Sequence, residues 1–373
     1  MTVFLLIISL IMFIGLVVAH EWGHFVMARR GGVEVEEFGI GFPPKAWSKK
    51  VKTKKSKFLF SINFLPLGGF VRLKGEHDSD TRPGSFGAAP LSTKVKIMLA
   101  GVAMNLLIAY LLLTVLAATA LPKLVDNQYT VPSDTKTVQQ IKDKDVVLVD
   151  NVVKDSPAQS AGLKSHDRIL NINGQNITSP EQIAAITKDN AGKTVAIKLN
   201  REGKEVSTSA TLNKENTGNG FLGVSSISGQ SGIELRRSTW SAPIVAGGLI
   251  KQFSELTFKG LGTVVASLSH GDTKKASEQV SGPVGIFYIL KEGGKLGFSF
   301  ILMIIAIISL TLALINVLPI PALDGGRLFV TLVFKVLRTP LTKRREELIH
   351  GSGFAFLMFL FVLITVVDVR RFF

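Results

Sequence analysis

The sequence predicts a multi-pass α-helical membrane protein with four transmembrane helices, membrane-associated β elements and an inserted water-soluble domain. A bilayer core is crossed by roughly 20 mostly apolar helical residues, and four stretches have this character: 3–26, 97–120, 299–318 and 351–368. Hydrophobic residues make up 46% of the 373, and their concentration in long unbroken runs is not typical of a soluble domain. Between the second and third stretches the pattern changes to short β-rich runs broken by Gly, Asn and Pro, which predicts a separate soluble domain.

The composition limits both the chemistry and the partners of the chain. No cysteine is present, so any metal must be bound by nitrogen and oxygen atoms, and no disulfide can form. The formal net charge is +15, which suits either nucleic acid or a membrane surface. Because Lys and Arg gather in cytoplasmic loops and at anionic lipids, we attribute the charge to contact with the lipid bilayer and expect no nucleic acid partner.

Charge in the loops predicts the orientation of the spans. The first span has no Lys or Arg before Arg29, so we interpret it as a retained helix rather than a signal peptide. The loop after it carries Arg29, Arg30, Lys45, Lys49, Lys50, Lys52, Lys54, Lys55, Lys57, Arg72 and Lys74. A second basic loop joins spans three and four. Because basic loops stay in the cytoplasm, both loops predict extracytoplasmic N- and C-termini, although Arg370 and Arg371 argue weakly against this orientation.

The pattern along the chain predicts a membrane core that is divided by the soluble domain. The predicted parts are the first half of the core at 1–121 with cytoplasmic-side β elements at 33–75, an extracytoplasmic domain at 122–215 with its own core at about 145–212, an extracytoplasmic linker at 216–296, and the second half of the core at 297–373. Within the linker, Pro243–Leu268 is amphipathic and carries Lys251, Glu255 and Lys259, which favours helices on the outer membrane surface over a fifth span.

The soluble domain resembles a bacterial PDZ domain. The resemblance is carried by Ser156–Ala158, Ala161–Leu170 and Ile172–Gly174, although His166 stands where the family usually has Gly. PDZ domains bind extended peptides by adding them to a sheet edge. The resemblance therefore implies contact with a peptide or substrate segment. The alternatives are a domain that only excludes bulky substrates and a spacer that binds nothing.

The first span contains a motif that predicts a metal site. Residues His20-Glu21-Trp22-Gly23-His24 match the pattern H-E-x-x-H, in which two histidines one helical turn apart bind one zinc ion and the glutamate acts as general base. Chance matches to so short a pattern occur, and isolated histidines are usually surface or capping residues. Ionisable side chains are costly inside a membrane helix, however, so we favour the metal site.

Catalytic zinc usually has three protein ligands, and the best candidate for the third is Asp324. It follows span three in Asn316-Val317-Leu318-Pro319-Ile320-Pro321-Ala322-Leu323-Asp324-Gly325-Gly326. At about 1.5 Å per residue, His20 and His24 lie near the cytoplasmic end of span one, and span three brings Asp324 to the same depth. The alternative is that Asp324 is only a turn residue before two glycines. Asn316 has two equal interpretations, as a helix cap or as a hydrogen-bond donor to substrate.

With these motifs on both sides of the soluble domain, the chain resembles the site-2 protease family of intramembrane zinc metalloproteases, in its bacterial RseP/RasP-like branch. The resemblance covers nearly the whole chain. It includes H-E-x-x-H, N-x-x-P-x-x-x-x-D-G, Phe38–Phe42, Pro66–Val71, and Gly101 with Asn105, although Val102 stands where Pro is common. Ser281–Gly285 resembles a further family segment.

The resemblance implies one catalytic Zn²⁺ ion held by His20, His24 and Asp324, with Glu21 as the catalytic base. It also implies that the β elements handle an extended substrate strand, and we predict Asn316, Gly68, Gly69 and Asn105 as substrate-binding residues. The implied partners are single-pass transmembrane substrates, such as an anti-sigma factor or a remnant signal peptide. The implied location is the bacterial cytoplasmic membrane, with the active site near the cytoplasmic face.

Two other classes of protein fit parts of the pattern. A membrane-anchored PDZ scaffold or chaperone with an inactive metal site would need no base beside the ligands, so Glu21 favours an enzyme. An ion transporter would use intramembrane His and Asp residues, but transporters commonly show inverted repeats, and the sequence shows no internal duplication.

Overall fold

The computed structural model describes residues 2–53, 56–142, 146–165, 167–201, 204–216, 220–229, 232–270, 280 and 282–372. The chain forms two compact units. The first contains residues 1–138 and 236–373, and the second contains residues 139–235.

The first unit is mainly helical. Numbered along the whole chain, its helices are α1 (Thr2–Arg30), α2 (Leu91–Thr119), α5 (Ala242–Ser269), α6 (Pro283–Lys295), α7 (Phe298–Val317), α8 (Asp324–Val336) and α9 (Lys343–Phe372). Within the described part of the chain, four segments are long and apolar enough to cross a membrane: Ile7–Arg30, Leu91–Thr119, Phe298–Val317 and Lys343–Val369. The prediction of four apolar helices at these places is confirmed.

Helix α2 lies at the centre of the first unit. Its apolar residues Leu113 and Leu116 are buried against Leu249 of α5 and against Met303 and Leu310 of α7. At the other end of α2, Ile97 and Met98 pack with Phe25 of α1. Helix α1 also packs directly on α7, through Leu16 and Ile301, although the two helices lie almost 300 residues apart in the sequence.

The predicted β elements form one small sheet between α1 and α2 in the sequence. Strands β1 (Val35–Thr53) and β2 (Ser56–Leu73) each fold back on themselves, so the sheet has four segments. Residues 45–53 pair with 56–63, residues 37–40 pair with 59–62 on one side and with 69–72 on the other, and Val35 pairs with Leu73. Residues 69–73 are therefore an edge of this sheet.

The two ends of this sheet differ in polarity. Phe42, Phe64 and Leu65 are exposed at one end, whereas exposed lysines such as Lys50 and Lys52 follow toward the other end. This distribution suits a sheet whose apolar end contacts lipid while its basic end stays in water or among headgroups.

The second unit contains a five-stranded path with a short sixth strand. Its elements are β5 (Val146–Val152), α3 (Pro157–Ser160), β6 (Arg168–Ile172), β7 (Gln175–Asn176), α4 (Pro180–Asp189), β8 (Thr194–Arg201), β9 (Lys204–Thr211) and β10 (Val224–Gly229). The strand order is β10-β5-β6-β8-β9, and β7 pairs with β6. Alternate residues Val195, Ile197 and Leu199 of β8 are buried in the core, as expected for a strand with one face in water. His166 lies outside the described residues.

The bounds of the second unit, 139–235, differ at both ends from the 122–215 that the sequence predicts for the soluble domain. The unit extends to residue 235 because β10 pairs with β5 in an antiparallel ladder, a pairing that the local pattern of 216–296 does not reveal. It begins at residue 139, since Leu121, Leu124 and Val131 pack with α2 and α5 in the first unit. The short strand β3 (Leu121–Pro122) belongs there, and β4 (Lys136–Lys142) and β11 (Gly232–Arg237) run across the unit boundaries.

Helix α5 corresponds to the predicted amphipathic segment Pro243–Leu268, but it is not part of a linker. Its buried residues Val245, Ala246 and Leu249 pack on α2 and α7. The helix therefore belongs to the first unit, and its charged residues Lys251 and Glu255 lie on an exposed face.

Candidate metal centre

Three side chains that the sequence predicts as metal ligands meet at one point. His20 Nε2 lies 3.1 Å from Asp324 Oδ2, and His24 Nε2 lies 3.3 Å from the same oxygen. The two Nε2 atoms are 3.2 Å apart. Helices α1 and α8 thus present two nitrogens and one oxygen to a shared position, and among the described residues this is the group of His, Asp or Glu side chains that could hold a metal ion.

The geometry and the chemistry of these donors fit a zinc ion. Ligand atoms about 2.0–2.1 Å from a tetrahedral zinc lie about 3.3 Å from one another, which is close to the three observed separations. Asp324 Oδ2 is buried, and apart from these two imidazole nitrogens it has no polar partner among the described residues. A buried oxygen without a partner is costly, and a metal ion would satisfy it. Despite burial, the neighbouring imidazoles hold the pKa of Asp324 well below its usual range, so it is a carboxylate.

Two glycines bring α1 and α2 close enough to form this site. A Cβ atom on Gly23 would lie 2.6 Å from the Ala100 carbonyl oxygen. A Cβ atom on Gly101 would overlap the imidazoles of both His20 and His24. Any side chain at position 101 would therefore occupy the space of the ligands. The family resemblance marked Gly101, but only the structure gives the physical reason for glycine there.

The break after α7 positions the carboxylate. Ala322 has a φ of 77°, a left-handed conformation that side chains rarely adopt, and Asp324 then begins α8. Cβ atoms on Gly325 and Gly326 would overlap the carbonyl groups of Val317 and Ile320. The two interpretations of Asp324, as a turn residue and as a possible ligand, are thus compatible, because the tight glycine turn is what delivers its carboxylate to the histidines.

Glu21 lies beside the three donors and beside the edge of the sheet. It lines a cavity of about 140 Å³ together with His24, Asp324 and Val71. A Cβ atom on Gly69 would lie 3.4 Å from Glu21 Cγ and 3.1 Å from the Gly39 carbonyl oxygen, so the backbone here lies close to Glu21. Val71 and Gly69 therefore bring the sheet edge against the helix that carries the H-E-x-x-H motif.

The outward backbone groups of this edge can be identified. The Leu73 N–H donates to Glu76 Oε1 over 2.8 Å, away from the paired segment. Because successive residues of a strand direct their backbone groups to opposite sides, Val71 and Gly69 direct theirs to the same open side as Leu73. This side faces the cavity that contains Glu21. Gly68, with a φ of 105°, forms the turn that starts the edge.

The two asparagines predicted to bind substrate occupy different surroundings. Asn105 is 1% exposed, and its Nδ2 atom lies 3.2 Å from His20 Nδ1. Direct contact with a substrate does not fit this buried position. Asn316 is half-buried in the last turn of α7, and it is not among the residues that line the cavity around Glu21.

Sequence reasoning missed the contacts that fix α8 and the loop before α2. The Arg327 guanidinium donates to the Glu76 carbonyl oxygen and lies 4.6 Å from the Phe86 ring centroid. Glu346 of α9 accepts a hydrogen bond from the Asp78 N–H over 2.9 Å. A second cavity, of about 470 Å³, lies beside Asp324 and is lined partly by Arg327 and Glu346. An arginine directly after the D-G-G motif was the available signal.

Comparison with known proteins identifies the family of the chain. The model of peptidase family M50 matches residues 8–360. The regulator of sigma-W protease RasP of Bacillus subtilis is 26% identical, over 98% of both chains, and the zinc metalloprotease RasP of Bacillus licheniformis is 26% identical, over 98% of this chain and 99% of its own. A solved PDZ domain of an SdrC-like protein from Listeria innocua is 28% identical and covers 23% of this chain and 94% of its own, with a TM-score of 0.20. The predicted family is confirmed: the chain belongs to peptidase family M50, the site-2 protease family of zinc metalloproteases.

Proposed function

We propose that this metalloprotease is an intramembrane endopeptidase that hydrolyses peptide bonds in or near the transmembrane segments of single-pass membrane proteins. The observation that carries the proposal is the meeting of His20, His24 and Asp324 beside Glu21, on and next to helices that are apolar and long enough to cross a membrane. A soluble protease would have no need to place its metal ligands on such helices.

The chemistry follows from the roles of four side chains. His20, His24 and Asp324 would hold one zinc ion, which when bound acidifies water and polarises a carbonyl group. The Glu21 carboxylate takes the proton of the attacking water and passes it to the leaving amine. Burial of this site between α1, α2 and the sheet keeps bulk water away from the base and strengthens its electrostatic interactions.

The substrate must be extended when it is cut. The backbone of a transmembrane helix is fully hydrogen-bonded, so the segment has to unwind and find other partners. The open edge at Gly69 and Val71 supplies backbone groups beside Glu21, and strand addition to an edge is a common mode of peptide binding. We propose that the unwound segment pairs with this edge. Asn316 and Gly68 remain proposed contacts to the substrate segment.

The location and the substrates follow from the charge pattern and the relatives. We place the chain in the bacterial cytoplasmic membrane, with extracytoplasmic termini and the active site near the cytoplasmic face, because the basic loops favour this orientation. The name of the Bacillus subtilis relative includes regulation of sigma-W, which supports an anti-sigma factor as one substrate class. Remnant signal peptides are the other. The PDZ-like unit would contact the substrate or exclude those with bulky outer domains.

The direct test is Glu21→Gln in the full chain, purified and reconstituted in vesicles with single-pass transmembrane substrates trimmed of their outer domains. We expect about one bound zinc ion per chain in both proteins, and cleavage lowered by roughly 10²–10⁴-fold in the variant, the usual contribution of a general base. Glu255→Gln, at an exposed position of α5, is the matched control and should cleave normally. Normal cleavage by Glu21→Gln would remove Glu21 from its role, and absence of zinc from the unaltered protein would contradict the proposed site.

A further inference from the structure

We propose that Asn105 is a positioning residue for the metal centre. Its side-chain amide oxygen accepts the Nδ1 hydrogen of His20, and this bond holds the His20 Nε2 lone pair toward the metal position that His20 shares with His24 and Asp324. The inference rests on the proposed zinc site. It replaces the role in substrate binding that the sequence suggested for Asn105.

Either amide atom of Asn105, Oδ1 or Nδ2, could be the one that faces His20 Nδ1. Its side chain is 1% exposed, and Nδ2 is the amide atom that lies 3.2 Å from His20 Nδ1. The other amide atom, Oδ1, is buried and has no hydrogen-bond partner in the described part of the chain. The two ends of an amide have nearly the same shape, so the hydrogen-bonding partners decide which end faces the imidazole.

The tautomer that His20 needs for binding a metal decides which amide atom faces it. An imidazole that binds a metal through Nε2 carries its hydrogen on Nδ1 and needs an acceptor there. The amide nitrogen of Asn105 is only a donor, whereas Oδ1 is an acceptor. A half-turn of the amide places Oδ1 against His20 Nδ1, which gives the imidazole its acceptor; the amide nitrogen then takes the position that Oδ1 leaves.

The second histidine shows the same arrangement with a group that cannot be reversed. His24 Nδ1 lies 2.8 Å from the Ile97 carbonyl oxygen, which can only accept a hydrogen bond. His24 is therefore held with Nδ1 protonated and the Nε2 lone pair free for a metal. The arrangement at His20 matches it when Oδ1 is the facing atom.

One stripe of α2 supports both imidazoles. Ile97, Gly101 and Asn105 are four residues apart, and such residues share a helix face. Ile97 supplies one acceptor, Gly101 leaves room for both rings, and Asn105 supplies the other acceptor. The Ser309 hydroxyl of α7 donates to the backbone carbonyl oxygen of Asn105 over 2.8 Å, which joins α2 to α7 at this level. The geometry thus assigns the G-x-x-x-N element to support of the zinc ligands.

The test measures metal binding rather than proteolysis. The full chain and the variants Asn105→Leu, Asn105→Asp and Ser309→Ala are purified in detergent, and zinc affinity is measured by competition with a chelator. Asn105→Leu keeps the branched shape but has no acceptor, so its zinc dissociation constant should rise about 10–100-fold, as for other partners of metal-bound histidines. Asn105→Asp keeps an acceptor and should stay within about threefold of the unaltered protein, as should the packing control Ser309→Ala.

A spectroscopic measurement separates positioning from general structural damage. With Co²⁺ in place of zinc, Asn105→Leu should change the visible absorption bands, whereas Asn105→Asp and Ser309→Ala should not. If Asn105→Leu does not fold, as judged by circular dichroism and gel filtration, Asn105→Ala takes its place in both measurements.

Two results would overturn the inference while leaving the proposed function intact. One is an unchanged zinc affinity in a folded Asn105→Leu or Asn105→Ala protein. The other is an equal loss of affinity in Asn105→Asp, because that variant retains the acceptor. Failure of the unaltered protein to bind zinc would instead contradict the proposed function itself.

Discussion

Two carboxylates lie at the starts of helices in the first unit, and their partners differ. Asp134 accepts four hydrogen bonds, from the backbone N–H and hydroxyl groups of Thr239 and Ser241 just before α5. Asp324 begins α8, and in the described part of the chain its buried Oδ2 faces only the imidazole nitrogens of the two other proposed ligands, His20 and His24. The first carboxylate is fully used in holding the fold together. The second keeps a buried lone pair free.

This difference separates structural from functional use of the same chemical group. Proteins normally satisfy the buried polar groups that serve only stability. An unsatisfied one is retained when something outside the chain satisfies it or when it takes part in chemistry. The two sites should therefore respond in opposite ways to substitution: one in metal binding, the other in stability.

The largest expected effect is that of Asp324→Asn. The amide cannot supply the anionic ligand, so zinc binding and proteolysis should fall by more than the roughly 100-fold that loss of an outer partner costs. The melting temperature of the zinc-free protein should change little, since an amide oxygen in the place of Oδ2 can still accept from the imidazoles that lie 3.1 and 3.3 Å away. Metal analysis, a cleavage assay and thermal unfolding with excess chelator measure the three quantities. Normal zinc content in the variant would contradict the comparison.

The next effect is that of Gly101→Ala, which tests whether the space beside the imidazoles is needed. The added Cβ would overlap His20 and His24, so we expect zinc affinity to fall at least about tenfold, as for loss of an outer partner. Gly15→Ala in α1 is the matched control, because no described residue outside its own stretch of helix lies within 4 Å of the added Cβ. Zinc competition measures both variants. Equal affinity in the two would show that α1 and α2 can separate at little cost.

The sequence predicts the metal ligands better than it predicts their support. H-E-x-x-H places His20 and His24 on one helix face by its spacing alone, and Asp324 is the best candidate that the sequence offers for a third ligand. The acceptors on α2 are invisible at that level, because a backbone carbonyl at Ile97 has no sequence signal and Asn105 suits several roles.

The fold, too, could be predicted from the sequence only where it depends on local properties. Apolar length predicts the four long helices, since that property is local. The membership of β10 in the second unit depends on pairing with β5, about 75 residues earlier. The four-segment sheet likewise depends on the register between Glu37–Ile40 and two parts of β2. Such pairings are decided by tertiary contacts rather than by composition.

A smaller effect is expected for Asp134→Ala, which removes the acceptor for the groups that precede α5. Loss of a helix cap destabilises a protein modestly, so the melting temperature should fall by a few degrees. Zinc affinity should be unchanged, because the hydrogen bonds of Asp134 in the described part of the chain go to Thr239 and Ser241 and not to the proposed metal ligands. Thermal unfolding and zinc competition check the two parts. A loss of zinc binding equal to that of Asp324→Asn would erase the distinction between the two carboxylates.

The smallest effect is a pH dependence confined to Asp134. Although burial opposes ionisation, the hydrogen bonds from Ser241 and Thr239 hold the pKa of Asp134 well below its usual range. A carboxyl group whose pKa is lower in the folded state contributes stability above its unfolded pKa of about 3.9 and loses that contribution as pH falls further. The difference in unfolding midpoint between the unaltered protein and Asp134→Asn should therefore be constant from neutral pH to about pH 5 and shrink below about pH 4. Denaturant unfolding with excess chelator, which removes any effect of the zinc ligands, measures it. A difference that grows toward acid pH would mean that the carboxylate is destabilising where it lies, and that the four hydrogen bonds do not offset its burial.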